Sequence, residues 1–471
     1  MKQVQVPSER RGDVRGLRFS VLGGARSGLA VASLLASKGA HVFVSDKAAE
    51  ELMQEAALTL KHLGIPFEFG GNSDRVLEAD ALVVSPGVPS EAPIVQKALA
   101  AGIEVLSELE VASWYCKAPM IAITGTNGKT TTTSLTARMF YDARQSAVVA
   151  GNIGTAFSEV VGQTTPDGVA VLEVSSFQLD HIRSFHPRVA MILNITPDHL
   201  DRYGHSLEKY IASKQRIFEN QEDGDVLIYN ADDEVTRSAV EGHARAGIRL
   251  LPFSLTPAGR ALGGDGATVD GGMLTVTLSG ERHHVIPPGE ISIRGEHNLA
   301  NAMAATLAGM SRGVMPASIR ATLKNFKGVE HRLEFVRQVD GVEYVNDSKA
   351  TNVDSVWYAL RSFTKPLIVL MGGRDKGNDY SRLIEPVREH VKSIVAIGES
   401  ADKVFAAFAS IVPVTSSSTM QDAIAAARDR AVPGDIVLLS PACASFDWFR
   451  DYEHRGRVFK EIVMALPSRA S

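Results

Sequence analysis

Residues 120–131 read MIAITGTNGKTT, and this stretch decides the class of fold. Its first five residues are apolar and β-prone, the run that a buried strand presents. Gly125-Thr126-Asn127-Gly128 then places two glycines where the chain must turn sharply, and Lys129-Thr130-Thr131 opens a helical stretch. Strand, Gly-rich turn and helix in that order make a cradle for phosphate. Glycines let backbone N–H groups converge on the anion, and the helix N-terminus adds its partial positive charge. Lys129 is placed to reach the β- and γ-phosphates of a nucleotide, and Thr130 to put its hydroxyl on Mg2+. The strict pattern G-x-x-x-x-G-K-[ST] is not met, because Ile123 stands where its first glycine belongs.

The same alternation continues outward. LRFSVLGG (17–24) is strand-like, ARSGLAVASLLASKG (25–39) has helical apolar spacing, and HVFVSD (41–46) is a second strand, so the chain opens on a βαβ unit. Further strand-like runs lie at 81–87, 169–176, 189–196, 225–230, 366–373, 393–398 and 435–441, with helical patterns between most of them. Such alternation predicts parallel α/β sheets. At 471 residues the chain exceeds the ~250–300 that one core sustains. Three domains are expected. Residues 1–117 form a Rossmann-like domain, with 1–16 as a solvated tail. Residues 118–328 form a central P-loop ATPase-like domain on a parallel sheet, and 329–471 a second Rossmann-like domain. Residues 255–293, with Gly-rich turns followed by LTVTLSG and HHVIPP, predict a small β excursion inside the central domain.

Composition narrows the partners. The chain is 45% hydrophobic and 22% charged, as soluble globular proteins are. A net charge of −5 argues against nucleic acid, which needs a basic face. Two cysteines, Cys116 and Cys443, give no disulfide framework and read as a reducing compartment. No apolar run approaches the ~18 residues of a membrane span. The start of the chain lacks the apolar core of a secretory signal. A cytoplasmic monomer without integral membrane association is expected.

Several polar residues fall where ligands are bound. Glu173 closes the strand VAVLEVSS, and carboxyl ends of parallel strands face ligands in open α/β sheets. A carboxylate there can ligate Mg2+ beside phosphates, or serve structure alone. Asp198, His199 and Asp201 cluster after the next strand. Lys214 lies in YIASKQRIF, where a lysine is ordinarily a solvated helix residue. Asn298 and Asn301, three apart, share one helix face, and their amides can read an adenine edge or cap the helix start. Gly23, Gly28 and Asp46 imitate a dinucleotide fingerprint, with Ala25 at its second key glycine.

GTNGKTT resembles the shortened phosphate loop of the Mur ligases and the related folylpolyglutamate synthetases. The resemblance runs from Leu17 onward, with its motifs in order. It implies an ATP-dependent amide-bond-forming ligase working through an acyl phosphate, with two Mg2+ ions. Gly125, Thr126, Asn127, Gly128, Lys129, Thr130 and Thr131 would hold ATP phosphates, Asn298 and Asn301 its adenine, Asp347 its ribose, and Arg332 would bridge phosphate. N-x-x-x-D-H-L-D assigns His199 to a second metal. The family carbamylates a lysine in the slot of Lys214. Thr130 and Glu173 would share one ion, His199 and the Lys214 carbamate the other.

GNIG at 151–154 resembles a turn that contacts substrate, which assigns Asn152. Arg26, Ser27, Asp46 and Lys47 would contact uridine and diphosphate, Ser85, Pro86 and Gly87 form a second substrate loop, and Ser175 a further contact. SSFQL (175–179) and NDSKATN (346–352) look like the D-glutamate-adding branch, whose substrates are UDP-N-acetylmuramoyl-L-alanine and D-glutamate. Lys349, Thr351, Lys376, Ser445 and Phe446 would hold the amino acid, with Tyr452 where the family tends to have Phe. Two other readings stay open: a ligase adding a different amino acid or extending folate, and a non-catalytic nucleotide or NAD-binding regulator on the same folds.

Overall fold

A computed structural model describes residues 11–152, 154–256, 264–375 and 377–468. Three sheets organise them. The first joins β1 (Arg18–Leu22), β2 (His41–Asp46), β3 (Phe67–Phe69), β4 (Ala81–Val84) and β5 (Glu104–Ser107) in the order β3-β2-β1-β4-β5, all parallel. Its inner strands are apolar at nearly every position because helices cover both faces; all four residues of β4 are buried.

The second sheet has nine strands: β6 (Met120–Thr124), β7 (Ala147–Gly151), β8 (Val169–Glu173), β9 (Val189–Ile192), β10 (Val226–Asn230), β11 (Arg249–Ser254), β12 (Gly266–Asp270), β13 (Met273–Leu278) and β14 (Glu281–Ile286). Their order is β14-β13-β12-β11-β10-β9-β6-β8-β7. The run from β7 to β12 is parallel, and β12, β13 and β14 form an antiparallel meander on its edge. That meander is the β excursion predicted from 255–293. The third sheet joins β15 (Glu334–Val339), β16 (Val342–Asn346), β17 (Leu367–Gly372), β18 (Val391–Ile397), β19 (Val414–Ser417) and β20 (Ile436–Leu439) in the order β15-β16-β20-β17-β18-β19. It is parallel except for β15, a hairpin partner of β16.

The chain divides into two compact units. One runs to Ile291 and includes Ala300–Asn325; the other comprises Ser292–Leu299 and the chain from Phe326 onward. The first unit contains two sheets, and buried carboxylates join them. Glu110, fully buried in the helix Glu108–Ser113, accepts hydrogen bonds from the N–H groups of Arg183, Ser184 and Phe185 at 2.9–3.0 Å and from Trp114 Nε1 at 2.9 Å. Glu108, equally buried, accepts from the N–H and hydroxyl of Ser158, both at 2.6 Å. Acids this deep persist only when their lone pairs are met.

Candidate active site

The carboxyl ends of β9, β6, β8 and β7, four neighbours in one sheet, bring the central candidates together. After β6 the phosphate loop turns through Gly125 (φ +150°) and Gly128 (φ +86°), and the helix Lys129–Asp142 begins. A Cβ on Gly128 would lie 2.3 Å from Asn301 Oδ1, so only glycine lets the loop close against that amide. The loop is braced from β9: Asn194 Oδ1 accepts from the Asn127 N–H at 2.8 Å, and Thr126 Oγ1 donates to the Thr196 carbonyl at 3.0 Å. Thr130 and Thr131 are buried, and the Thr131 hydroxyl has no hydrogen-bond partner among the described residues. Glu173 ends β8 at 2% exposure, with Asn152 Nδ2 at 3.4 Å from its carboxylate.

Lys129 Nζ donates to the carbonyls of Gly125 and Thr126, both at 2.9 Å. Lys214, on the helix Leu207–Gln215, is 1% exposed and donates to the same Gly125 carbonyl at 3.0 Å. Burial first, and the Lys129 charge second, hold its amine well below the usual lysine range, while Asp198 and Asp180 act the other way. A lysine on an amphipathic helix is ordinarily solvated; the fold buries this one against the Tyr210 ring, 4.5 Å from the centroid. His199 takes a left-handed backbone (φ 51°), half exposed, its ring edge-on to Phe177 at 5.4 Å.

A cavity of about 470 Å3 opens at the carboxyl ends of β1, β2 and β4. Arg26, Ser27, Lys47, Ser85 and Asn152 line it, with Pro86 and Gly87 on its second loop. Asp46 also borders it, but its carboxylate is engaged by the N–H groups of Gly24 at 2.6 Å and Ala48 at 2.8 Å. It sets the turn of the first loop. Arg26 Nη1 donates to the Gly154 carbonyl. Ser175 closes a capping box with Gln178 at the start of the helix Ser176–Leu179, its hydroxyl donating to Gln178 Oε1 at 3.0 Å. Arg202, absent from the sequence reading, lies over the Phe177 ring at 4.3 Å and donates to the Val88 carbonyl at 3.2 Å. An arginine in a short helical turn, Leu200–Tyr203, carries no signal of this in the sequence.

In the second unit a cavity of about 430 Å3 is lined by Arg294, Asn298, Lys327, Arg332 and Phe335. Arg332 Nε is buried without a hydrogen-bond partner among the described residues, which suits a site that receives an anion. Asn298 Nδ2 donates to the Arg294 carbonyl at 2.7 Å. Asp347, after β16, accepts from Ser440 Oγ at 2.9 Å, and burial pushes its carboxyl up to about 7 against the pull of Arg332. Lys349 Nζ sits 5.6 Å from the centre of the Tyr452 ring. Thr351 is half-buried, Ser445 buried and Phe446 exposed. Lys376 lies outside the described residues.

Comparison with known proteins gives three matches in chain order. Residues 18–107 match the family described as Mur ligase MurD-like, N-terminal domain; 123–309 the Mur ligase middle domain; and 331–443 the Mur ligase, glutamate ligase domain. The UDP-N-acetylmuramoylalanine--D-glutamate ligase of Salinibacter ruber is 50% identical over 461 residues, covering 96% of this chain and 99% of its own. The protein of that name from Chloroherpeton thalassium is 45% identical over 467 residues, with 96% and 99% covered. Among solved structures, UDP-N-acetylmuramate-alanine ligase from Thermotoga maritima has a TM-score of 0.60 at 20% identity, with 95% of this chain and 99% of that one covered. MurF ligase from Thermotoga maritima, solved with ADP, has a TM-score of 0.58 at 17% identity, with 82% and 95% covered. These two share the three-domain α/β fold.

Proposed function

This chain belongs to the Mur ligase family, and from that premise we propose that it is the ligase that joins D-glutamate to UDP-N-acetylmuramoyl-L-alanine at the expense of ATP, in peptidoglycan precursor synthesis. The observation that carries the reading is the meeting of Lys129 and Lys214 at the Gly125 carbonyl, with Glu173 ending the adjacent strand. A phosphate loop alone serves many activities. A second, desolvated lysine and a buried acid beside it suit phosphoryl transfer to a carboxylate. The amino acid is read from the relatives' name and from the loop 347–351.

In the reaction, a carboxylate oxygen of the nucleotide substrate attacks the γ-phosphorus of ATP; a C–O–P linkage forms as ADP leaves. The neutral D-glutamate amine then attacks the carbonyl carbon, and the amide forms as phosphate leaves with the C–O pair and the nitrogen loses one proton to solvent. The protein orients the reactants and neutralises charge. Lys129 faces the transferred phosphoryl group, Gly125 to Thr131 cradle the phosphates, and Asn298, Asn301, Arg332 and Asp347 hold the nucleoside. Arg26, Ser27, Lys47, Ser85, Pro86, Gly87, Asn152 and Ser175 surround the UDP-linked substrate, with Asp46 shaping their loop. Lys349, Thr351, Lys376, Ser445, Phe446 and Tyr452 receive D-glutamate.

Hydroxyl and carboxylate donors at Thr130 and Glu173 suit Mg2+, a hard cation. A protonated lysine does not suit it, whereas a carbamate does, and the lowered basicity of Lys214 favours carbamate formation. Thr130 and Glu173 would hold one ion, His199 and carbamylated Lys214 the other; bound Mg2+ supplies Lewis-acid neutralisation of the phosphates. The same proposal assigns 1–117 to the UDP-linked substrate, 118–328 to ATP and 329–471 to the amino acid, in a monomeric cytoplasmic enzyme. Both cysteines are free, and no helix among the described residues is long and apolar enough to cross a membrane.

The test is phosphate release from ATP with UDP-N-acetylmuramoyl-L-alanine and, in parallel, D-glutamate, L-glutamate, L-lysine or meso-diaminopimelate. Release requiring the nucleotide substrate and D-glutamate together is expected. Release with another amino acid keeps the mechanism and overturns the reading of loop 347–351.

A further inference from the structure

Arg455 is a cation buried where the chemistry described so far makes no use of one. It lies on the helix Tyr452–Ala465 at 1% exposure. Its five N–H donors are all engaged, and none of their partners among the described residues is a carboxylate. Nε donates to Ser348 Oγ at 3.0 Å and Nη2 to the Ser348 carbonyl at 2.8 Å. Nη1 and Nη2 both donate to the Cys443 carbonyl at 3.1 Å, and Nη1 also to that of Ala444 at 3.3 Å. A Cβ on Gly373 would stand 3.2 Å from Nη1. One guanidinium therefore hydrogen-bonds the loops that follow β16 and β20, neighbouring strands of the third sheet, and leaves Gly373, after β17, little room for a side chain. Burial lowers its pKa only to about 10, so it stays charged at neutral pH.

Those loops carry Ser348-Lys349-Ala350-Thr351, Cys443-Ala444-Ser445-Phe446 and the segment after Gly373. Ser348 extends the clamp, its hydroxyl donating a hydrogen bond to the Tyr452 carbonyl at 2.8 Å. A buried cation without a contacting anion is costly, and a well-packed apolar side chain serves stability as well or better. Its planar fork does what an apolar side chain does not: it fixes several carbonyls at set spacings. The next residue, Gly456, lets the helix approach closely; a Cβ there would sit 2.2 Å from His331 Nδ1.

We propose that Arg455 is a positioning residue for the amino-acid subsite, its guanidinium setting the spacing between the loop of Lys349 and Thr351 and the loop of Ser445, so that donors from both meet a dicarboxylate. This rests on the functional reading above. The test uses the full chain with Arg455→Lys and Ser348→Ala, measuring kcat, the KM of each of the three substrates, and Tm. Arg455→Lys is expected to raise the KM for D-glutamate about tenfold or more while those for ATP and the UDP-linked substrate stay within about twofold. Ser348→Ala, a gentler change, is expected to raise the D-glutamate KM about threefold, with Tm lowered less than by Arg455→Lys. An unchanged D-glutamate KM in folded Arg455→Lys, or an equal rise in all three constants, overturns the proposal. If Arg455→Lys does not fold, an unchanged D-glutamate KM in Ser348→Ala overturns it. Wild-type protein without D-glutamate-dependent turnover sinks the functional reading and this inference together, whereas active wild type with an indifferent variant sinks the inference alone.

Discussion

Lys129 and Lys214 direct their side-chain nitrogens at one acceptor, the Gly125 carbonyl, from 2.9 and 3.0 Å. Two ammonium groups at one oxygen repel, and the more deeply buried amine gives up its proton more easily. Lys129, the less buried of the two, is the cation that the proposed mechanism assigns to phosphate.

Lys129→Ala is therefore expected to lower turnover by ~100-fold or more, the scale of losing one preorganised charge partner. Calorimetric affinity for UDP-N-acetylmuramoyl-L-alanine should stay within about threefold, because that substrate is assigned to the first sheet. Collapse of both would place the UDP moiety elsewhere.

Lys214 gives two outcomes. Its folded-state pKa lies well below the unfolded ~10.4, so between the two values the unfolded chain binds more protons, and stability rises with pH through that window. In bicarbonate-free buffer, denaturation midpoints of wild type should rise with pH, and Lys214→Met should flatten the slope. With labelled bicarbonate, a carbamate carbon signal should appear in wild type and not in the variant. Equal slopes, or no signal, would sink the neutral-amine account.

His181 and His297 set the acid side. Burial lowers them to about 4 and about 3, with Arg183 and Arg332 adding to the effect. Their folded pKa values sit below the unfolded ~6.5, so stability should fall as pH drops below that value, by roughly 1.4 kcal/mol per unit for each histidine, until its folded pKa is reached. Urea midpoints at pH 7 and pH 5 check this. His181→Asn should lose less stability over that interval than wild type; an identical loss would exclude His181 as a contributor.

Glu110→Ala removes a fully buried acceptor of four N–H donors. Leaving those donors unmet is expected to cost about 3 kcal/mol, visible as a lower urea midpoint. A shift under about 0.5 kcal/mol would mean that water replaces the carboxylate.

Much of the fold was legible because it rests on local pattern. MIAIT is apolar at strand spacing, and Gly125 and Gly128 stand where the loop turns left-handed. The β excursion announced itself through Gly-rich turns and alternation. What stayed hidden belongs to tertiary burial. Lys214 lies on a helix whose pattern reads as half-solvated, and it is buried against the Gly125 turn and the Tyr210 ring. Asp46 holds the place that a dinucleotide fingerprint gives to a ribose ligand, yet it serves the backbone of its own loop. Arg455 stands in the charged helical run YEHRGRVFKE, where no local pattern marks it as buried. The glycine beside it, in mid-helix, was the available hint of a close approach. A buried arginine ordinarily meets a carboxylate, and here the fold supplies carbonyls instead.

The cups around Glu108 and Glu110 bear on how this chain tolerates being cut. The segment at 115–119 lies between two sheets, where modular proteins are commonly severed, fused or permuted. Here both acids lie before that segment, and the amides that meet them lie after it, at Ser158 and Arg183 to Phe185. A fragment ending at residue 117 would carry Glu108 without the Ser158 donors and Glu110 with Trp114 Nε1 alone of the N–H donors described, and the remainder would carry orphaned amides. Split halves of the enzyme should therefore be recovered as a complementing pair, with neither half stable by itself.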